Sequence, residues 1–476
     1  MAQLSEADSV RRLVDRLGFG SGGDALVRLQ SAGYAAAIDT LLAPNGPDAG
    51  AAATPLPRLA APERPERTVG RGAGEASEKT PEDRAARKAY RRQLKAQQLT
   101  ATRWWLDRMV RAEQPTRERL TWFWHGHFAT SAQKVRVAAL MLRQNETFRT
   151  GALGSFTGLA QALIIDPALL VWLDGNDNTT KAPNENLARE FMELFALGHG
   201  RFSETDVKEA ARALTGWKID RQTGGATLRP KHHDAASKTV LGHGGNLGAE
   251  ELVTVLLSQP ASTEFVVGRL WFRLVGPQPP SAATREKLLA AYGAGRDVTA
   301  TLRAIARSPE LRDASASLVK QPVEWVVGTA RALSVVPSTL SDPAKRSAQA
   351  DPANRSAQAD PGRRSKAGQG RLLVALRGMG QIPFRPPSVG GWPAGGAWLT
   401  TAAAAARLSA ARALTAEADL SDVAKTSTKN RTEAIRRLLG VDAFTARTAD
   451  AISQVAGRPA DAVALAAVSP EYVVSR

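Results

Sequence analysis

The chain has 476 residues, no cysteine and a formal net charge of +17. That length suffices for one large core or several domains, and the missing thiols exclude disulfides, thiolate metal sites and cysteine nucleophiles. The charge points to anionic partners, but 48 Arg stand against 15 Lys, a bias that a GC-rich coding sequence produces whatever the protein binds, and no DNA- or RNA-reading motif accompanies it, so no specific nucleic acid is expected.

From the N-terminus, residues 5–42 predict two helices around the glycines at 18–23, with Ser5 and Asp8 spaced as a capping box. The first residues carry charges throughout and show no apolar leader. The most apolar stretch, 160–173, is interrupted by Asp166 and Pro167, short of the roughly eighteen residues a span requires. The expectation is a cytoplasmic protein with no membrane span. Residues 43–80 are rich in Ala, Pro, Gly and Arg without a period, which predicts a disordered insertion. Helical periodicity returns at 80–112 with Arg and Lys outward, and 81–335 reads as a helical core carrying the His and Glu motifs.

Within that core all six histidines fall between His125 and His243. The run 120–130 places Leu120, Phe123, Trp124, His127 and Phe128 on one helical stripe, with His125 well off it. Gly126 predicts a left-handed helix stop there, so that His127 projects from a helix end. The plainer alternative is a buried His bonded to a backbone carbonyl. Next, Asp174, Asn176, Asn178 and Glu185 occupy positions 1, 3, 5 and 12 of a calcium-loop spacing, although Thr179 stands where such loops carry Gly and Pro183 is foreign to them. These four are the candidate metal ligands, and a divalent cation is the candidate cofactor. An Asx-rich turn before a helix is the structural alternative.

The segment 184–198 predicts a helix whose core stripe is Leu187, Phe191, Leu194 and Phe195. Asn186, Glu190 and Glu193 form a second stripe, and Glu185 can pair with Arg189. Further on, Ser203 and Asp206 cap a helix that Gly216 ends. Lys218 to Asp220 and Ala226 to Leu228 flank a Thr-Gly-Gly turn, the signal of a small β-hairpin. His233 and Asp234 follow it, with Lys238 close behind. A carboxylate next to an imidazole can orient it or share a metal. His127, Glu190, His233 and Asp234 are therefore the candidate catalytic group.

Two nine-residue repeats, 342–350 and 351–359, with a decayed third copy from Asp360, predict a second disordered insertion, a low-complexity loop over 336–370. Residues 371–476 then read as a Trp-bearing loop and helices. In that loop Trp392 and Trp398 lie among Gly and Pro. With Lys238 they are candidate binding residues, since rigid Trp rings stack on sugars or bases, although such rings more often close a core. Phosphate-binding, dinucleotide, zinc-protease and serine-hydrolase motifs are all absent from the sequence.

Taken in order, the opening 7–20, the aromatic-His run 122–128, the stretch 183–200, the run 211–217, His233 and Asp234 with Lys238, the stretch 386–393 and the final 469–472 resemble the bacterial family called domain of unknown function 1800. The resemblance covers nearly the whole chain except 43–80 and 341–368. Relatives often carry Asn where Gly126 stands. The family implies no established activity. Its genes often neighbour those of a sulfatase-like family, which implies that partner, and many relatives are exported.

The expected architecture is mainly α: one large multi-helix domain with a small β-hairpin and two disordered insertions. The expected function is a metal-assisted or acid/base enzyme on a polar, anionic substrate. The alternatives are a non-catalytic binding or assembly partner of the sulfatase-like protein and nonspecific polyanion binding.

Overall fold

The computed structural model describes residues 3–20, 23–43, 46–65, 80–220, 223–340 and 361–475, the side chains of 361–369 apart. The fold is mainly α-helical, as the periodicity requires. Among the described residues the strands form three separate antiparallel pairs. The expected hairpin joins Trp217–Ile219 to Ala226–Leu228. The other two pairs, Lys238–Val240 with His243–Gly245 and Leu318–Val319 with Val474–Ser475, are too short for an alternating pattern to announce them.

The helices pack around two contiguous apolar clusters. One gathers the N-terminal helices, the middle of the chain and the helices up to Leu311. The other gathers Trp104, Trp105, the Pro322–Ala332 helix and the C-terminal helices. The helix Pro115–His127 serves both: Leu120, Phe123 and Trp124 belong to the first cluster and Trp122 to the second. A helix that is apolar around most of its circumference must be buried on every side, and nearly all of this one is.

The first expected insertion is narrower than its composition predicts. Residues 46–65 pack onto the core: Asp48 caps the Ala49–Ala52 turn and accepts the backbone N–H groups of Glu113 and Gln114 at 3.0 and 2.9 Å. The indole of Trp104 donates to the Thr54 carbonyl at 3.1 Å, and Gln97 donates to that of Ala60 at 2.8 Å. Bonds from distant helices hold this segment, which is why it has no period of its own. Residues 66–79 and 341–360 lie outside the described residues. From Pro361 the chain is helical to Gly378, so the low-complexity loop ends sooner than expected.

The helix bearing His127 does not stop at Gly126. It runs through His127, and Gly126 keeps an ordinary helical backbone. The glycine that needs its conformation is Gly391, with φ +84° and a Cβ position only 2.4 Å from the Gly126 carbonyl oxygen. Gly391→Ala is therefore expected to cost on the order of 3 kcal/mol, combining left-handed strain with a clash against fixed backbone. Gly126→Ala meets only Trp392 at 3.9 Å and should be neutral or stabilising by up to about 1 kcal/mol. Urea unfolding of the two variants checks the pair; equal effects would refute the assignment.

Candidate functional site

The residues singled out from sequence do not form one cluster. His127 is 2 % exposed, and its Nε2 lies 2.9 Å from the Phe195 carbonyl, inside a shell of Phe123, Trp124, Phe128 and Phe156. Burial pulls its imidazole down to about 3, with Arg269 nearby adding to the shift. This is the plainer alternative, a neutral core imidazole. The His233 Nδ1 sits 2.9 Å from the Thr215 carbonyl. Asp234 is held by the guanidinium of Arg212 at 2.8 Å, which keeps its carboxyl below the usual range. Glu190 is half-buried on the other stripe, and burial with the adjacent Glu193 charge raises its carboxyl.

The four calcium-spaced residues face four different tasks. Asp174 pairs with Lys134 at 2.6 Å. Asn176 accepts the Ile219 N–H at 3.0 Å. Asn178, fully buried, donates to the Ala211 carbonyl at 2.8 Å and accepts the Asn184 N–H at 2.9 Å. Glu185 pairs with Arg189 at 2.9 Å. These partners make an Asx-rich turn that pins the hairpin and the next helix together. Among the described residues no group of three or more His, Cys, Asp or Glu side chains could hold a metal ion.

The signature helix departs from its expected stripe as well. After Asn186–Glu190 the chain widens into a π-helical turn, Phe191–Ala196. The extra residue per turn rotates Met192 into the core and leaves Leu194 only partly buried. Of the binding candidates, Trp392 and Trp398 are 5 % and 3 % exposed and are unavailable for stacking on a ligand. Lys238, buried at 1 % exposure, spends its ammonium on the Ala236 carbonyl at 2.9 Å and on Asn246 at 3.3 Å.

Charge does converge elsewhere. A cavity of about 200 Å³ opens where the Glu6–Gly18, Pro115–His127, Pro260–Leu274 and Pro322–Ala332 helices meet the strand pair formed by Leu318–Val319 and Val474–Ser475. Arg16, Arg119, Arg273 and Lys320 line it with two carboxylates, Asp15 and Glu324. Arg119 pairs with Glu324 at 2.9 Å, and Lys320 with Asp15 at 3.5 Å. Arg16 and Arg273 have no carboxylate partner among the described residues. They donate to the carbonyls of Ser475 at 3.0 Å and Trp392 at 3.1 Å. Burial beside other cations pulls Arg16 down to about 9 and Arg273 to about 10. The remaining wall includes Phe19, Phe272, Pro277, Leu318 and Val319. The cavity thus pairs two surplus guanidiniums with an apolar lining.

A family described as "Protein of unknown function (DUF1800)" matches residues 12–474. The chain belongs to the DUF1800 family. No curated protein and no solved structure matches it. In this DUF1800 protein the aromatic-His run and the Trp loop interlock. Trp122 stacks on Trp392 at 4.9 Å, the Phe384 N–H donates to His125 Nε2 at 3.1 Å, and Ala132 donates to the Phe384 carbonyl at 2.8 Å. Burial lowers the His125 imidazole to about 3, which keeps that nitrogen an acceptor. The Trp loop continues to the cavity through Ala394 and Gly395, and Arg273 of the cavity wall bonds the backbone of Trp392. Sequence reasoning missed the cavity because its cations are scattered from Arg16 to Lys320. The sequence carried no local signal: Arg12 and Arg16 lie off the Val10, Leu13, Val14 and Leu17 stripe, where a solvated arginine is the ordinary expectation, yet both are buried.

Proposed function

We propose that this DUF1800 protein binds a small amphipathic anion, a carboxylate, phosphate or sulfate ester with an apolar body, in the cavity between Arg16 and Arg273. One observation carries the reading: two buried or half-buried guanidiniums face one cavity without a carboxylate partner among the described residues. A cation held out of water without a counter-charge is costly, and a bound anion would relieve that cost at both residues. Guanidiniums also match the planar and tetrahedral oxygens of such head groups in forked geometry. Phe19 and Phe272 would cover the apolar body. The anionic substrate expected from sequence is kept, and its place moves to this cavity. A sulfatase-like partner would handle ligands of the same charge class, which supports keeping it in the proposal.

Benzoate, phenyl phosphate and phenyl sulfate are the probes, with melting temperature and titration calorimetry as readouts. At least one should raise the melting temperature by several degrees near saturation. Arg273→Met should abolish that rise. It should also leave the ligand-free protein about as stable as before, since removing a buried cation without a carboxylate partner among the described residues offsets the lost bond to the Trp392 carbonyl. A rise undiminished in Arg273→Met, or no rise with any probe, overturns the reading.

A further inference from the structure

We infer a second binding surface, independent of the cavity: a groove along the Pro81–Arg111 helix that takes a single strand of nucleic acid without regard to its sequence. Arg87, Arg91 and Lys95 line one wall, and Arg136 and Arg385 line the other. The groove encloses about 620 Å³. No carboxylate lines it among the described residues. Among the described residues the side chains of Arg87, Arg91, Lys95 and Arg136 have no ion-pair or hydrogen-bond partner. Only Arg385 is engaged, donating to Gln98 Oε1 at 2.9 Å. Like charges on both walls of a concave surface repel one another unless a polyanion covers them.

The spacing and the lining narrow the partner. Residues four apart on a helix rise by about 6 Å, so the row from Arg87 to Lys95 extends roughly 12 Å. An unstacked strand spaces its phosphates more widely than the about 3.4 Å rise of a duplex, so that row meets about two phosphates, and Arg136 and Arg385 opposite bring the total to about three or four. Cations on two opposed walls fit a chain lying between them better than a flat membrane surface. Tyr90, half-exposed, sits in the same groove within the cationic row. A ring beside a row of guanidiniums is the pairing that holds unpaired bases, because every base offers a π-face. An acidic peptide or a bare polyphosphate has nothing for Tyr90 to stack on. The absence of a base-reading motif fits a strand held by its backbone and by stacking alone.

The test uses the full chain and a fluorescent oligothymidylate of about ten nucleotides, followed by anisotropy over a salt series. Binding should weaken with salt at a log–log slope of about −2 to −3, the signature of three or four phosphate contacts on a single strand. The exposed pair Arg91→Glu with Lys95→Glu should lower affinity at least about tenfold, and Tyr90→Ala by about tenfold, with Tyr90→Phe retaining it. Circular dichroism of each variant should be unchanged, since these side chains make no contacts that hold the fold. Polyglutamate or polyphosphate of equal charge should compete less well than the oligomer. Equal or better competition by either, indifference to Tyr90→Ala, or no loss on charge reversal would overturn the assignment.

Discussion

Glu118→Gln is expected to destabilise the protein by about 3–5 kcal/mol, the loss that follows when one partner of a buried charge cluster is removed. The Glu118 side chain is 2 % exposed. One oxygen accepts Arg149 Nε at 2.6 Å and Arg108 Nε at 2.8 Å. The other accepts Arg149 Nη2 at 3.0 Å and the Trp105 indole at 3.2 Å. Arg108 also donates to the Ala51 and Thr54 carbonyls, both at 3.1 Å. One carboxylate therefore ties together the helices Pro81–Arg111, Pro115–His127 and Ala138–Gly151 and the segment after Asp48. The amide keeps the shape but not the charge. It leaves Arg149 at 3 % side-chain exposure with only Asn145 and the half-exposed Glu146. Urea unfolding with linear extrapolation measures the loss; a change under about 1 kcal/mol would show that the cluster adds nothing net. Burial alone would raise the Glu118 carboxyl, but Arg149 and Arg108 more than reverse this and hold it below its ordinary value. Its stabilisation is therefore complete above the unfolded pKa and fades as pH falls through the folded one.

Asp166 should impose the opposite dependence on pH. It caps the Pro167–Trp172 helix, accepting the Leu169 N–H at 3.0 Å and the Gln144 amide at 2.8 Å, and it is 3 % exposed. Burial raises its carboxyl from 3.8 to about 7, because these hydrogen bonds only partly offset the lost hydration. A folded pKa above the unfolded one means that the native state holds the proton more tightly. The associated stability is fully present below about pH 4 and is lost as pH rises to about 7, a swing of up to about 4 kcal/mol. Asp166→Asn keeps an oxygen for the Leu169 N–H and removes the charge. It should therefore exceed the wild type in stability at pH 8 and lose most of the decline between pH 4 and 8. Parallel wild-type and variant profiles from chemical unfolding would rule this out.

Which parts of the protein were legible before folding follows a physical division. Local chemistry reads locally. The Ser5 and Ser203 caps, the Glu185–Arg189 pair, the Trp217–Ala226 hairpin and the helical class all depend on residues a few positions apart, and all are present in the structure. The recurring motifs placed the chain in its family for the same reason. Their meaning as a site was not local. His127, Asp174, Asn178, Glu185 and Asp234 have the residue types of a metal or acid/base centre, but each type also satisfies a backbone group or pairs with an arginine. Only neighbours far along the chain decide which occurs: Phe195 for His127, Ala211 for Asn178, Arg212 for Asp234. The π turn at Phe191–Ala196 leaves no mark in hydrophobic periodicity, so the burial of Met192 in place of Leu194 became visible only with coordinates. The cavity is the extreme case. Arg16, Arg119 and Arg273 sit on three separate helices and Lys320 on the connection after Leu318–Val319, and an arginine looks the same in a sequence whether water or a buried wall surrounds it. Composition determined that the protein would be helical and strongly basic. Tertiary packing decided which of those cations were left facing a cavity without a carboxylate partner among the described residues, because desolvation depends on what the whole fold places around a side chain.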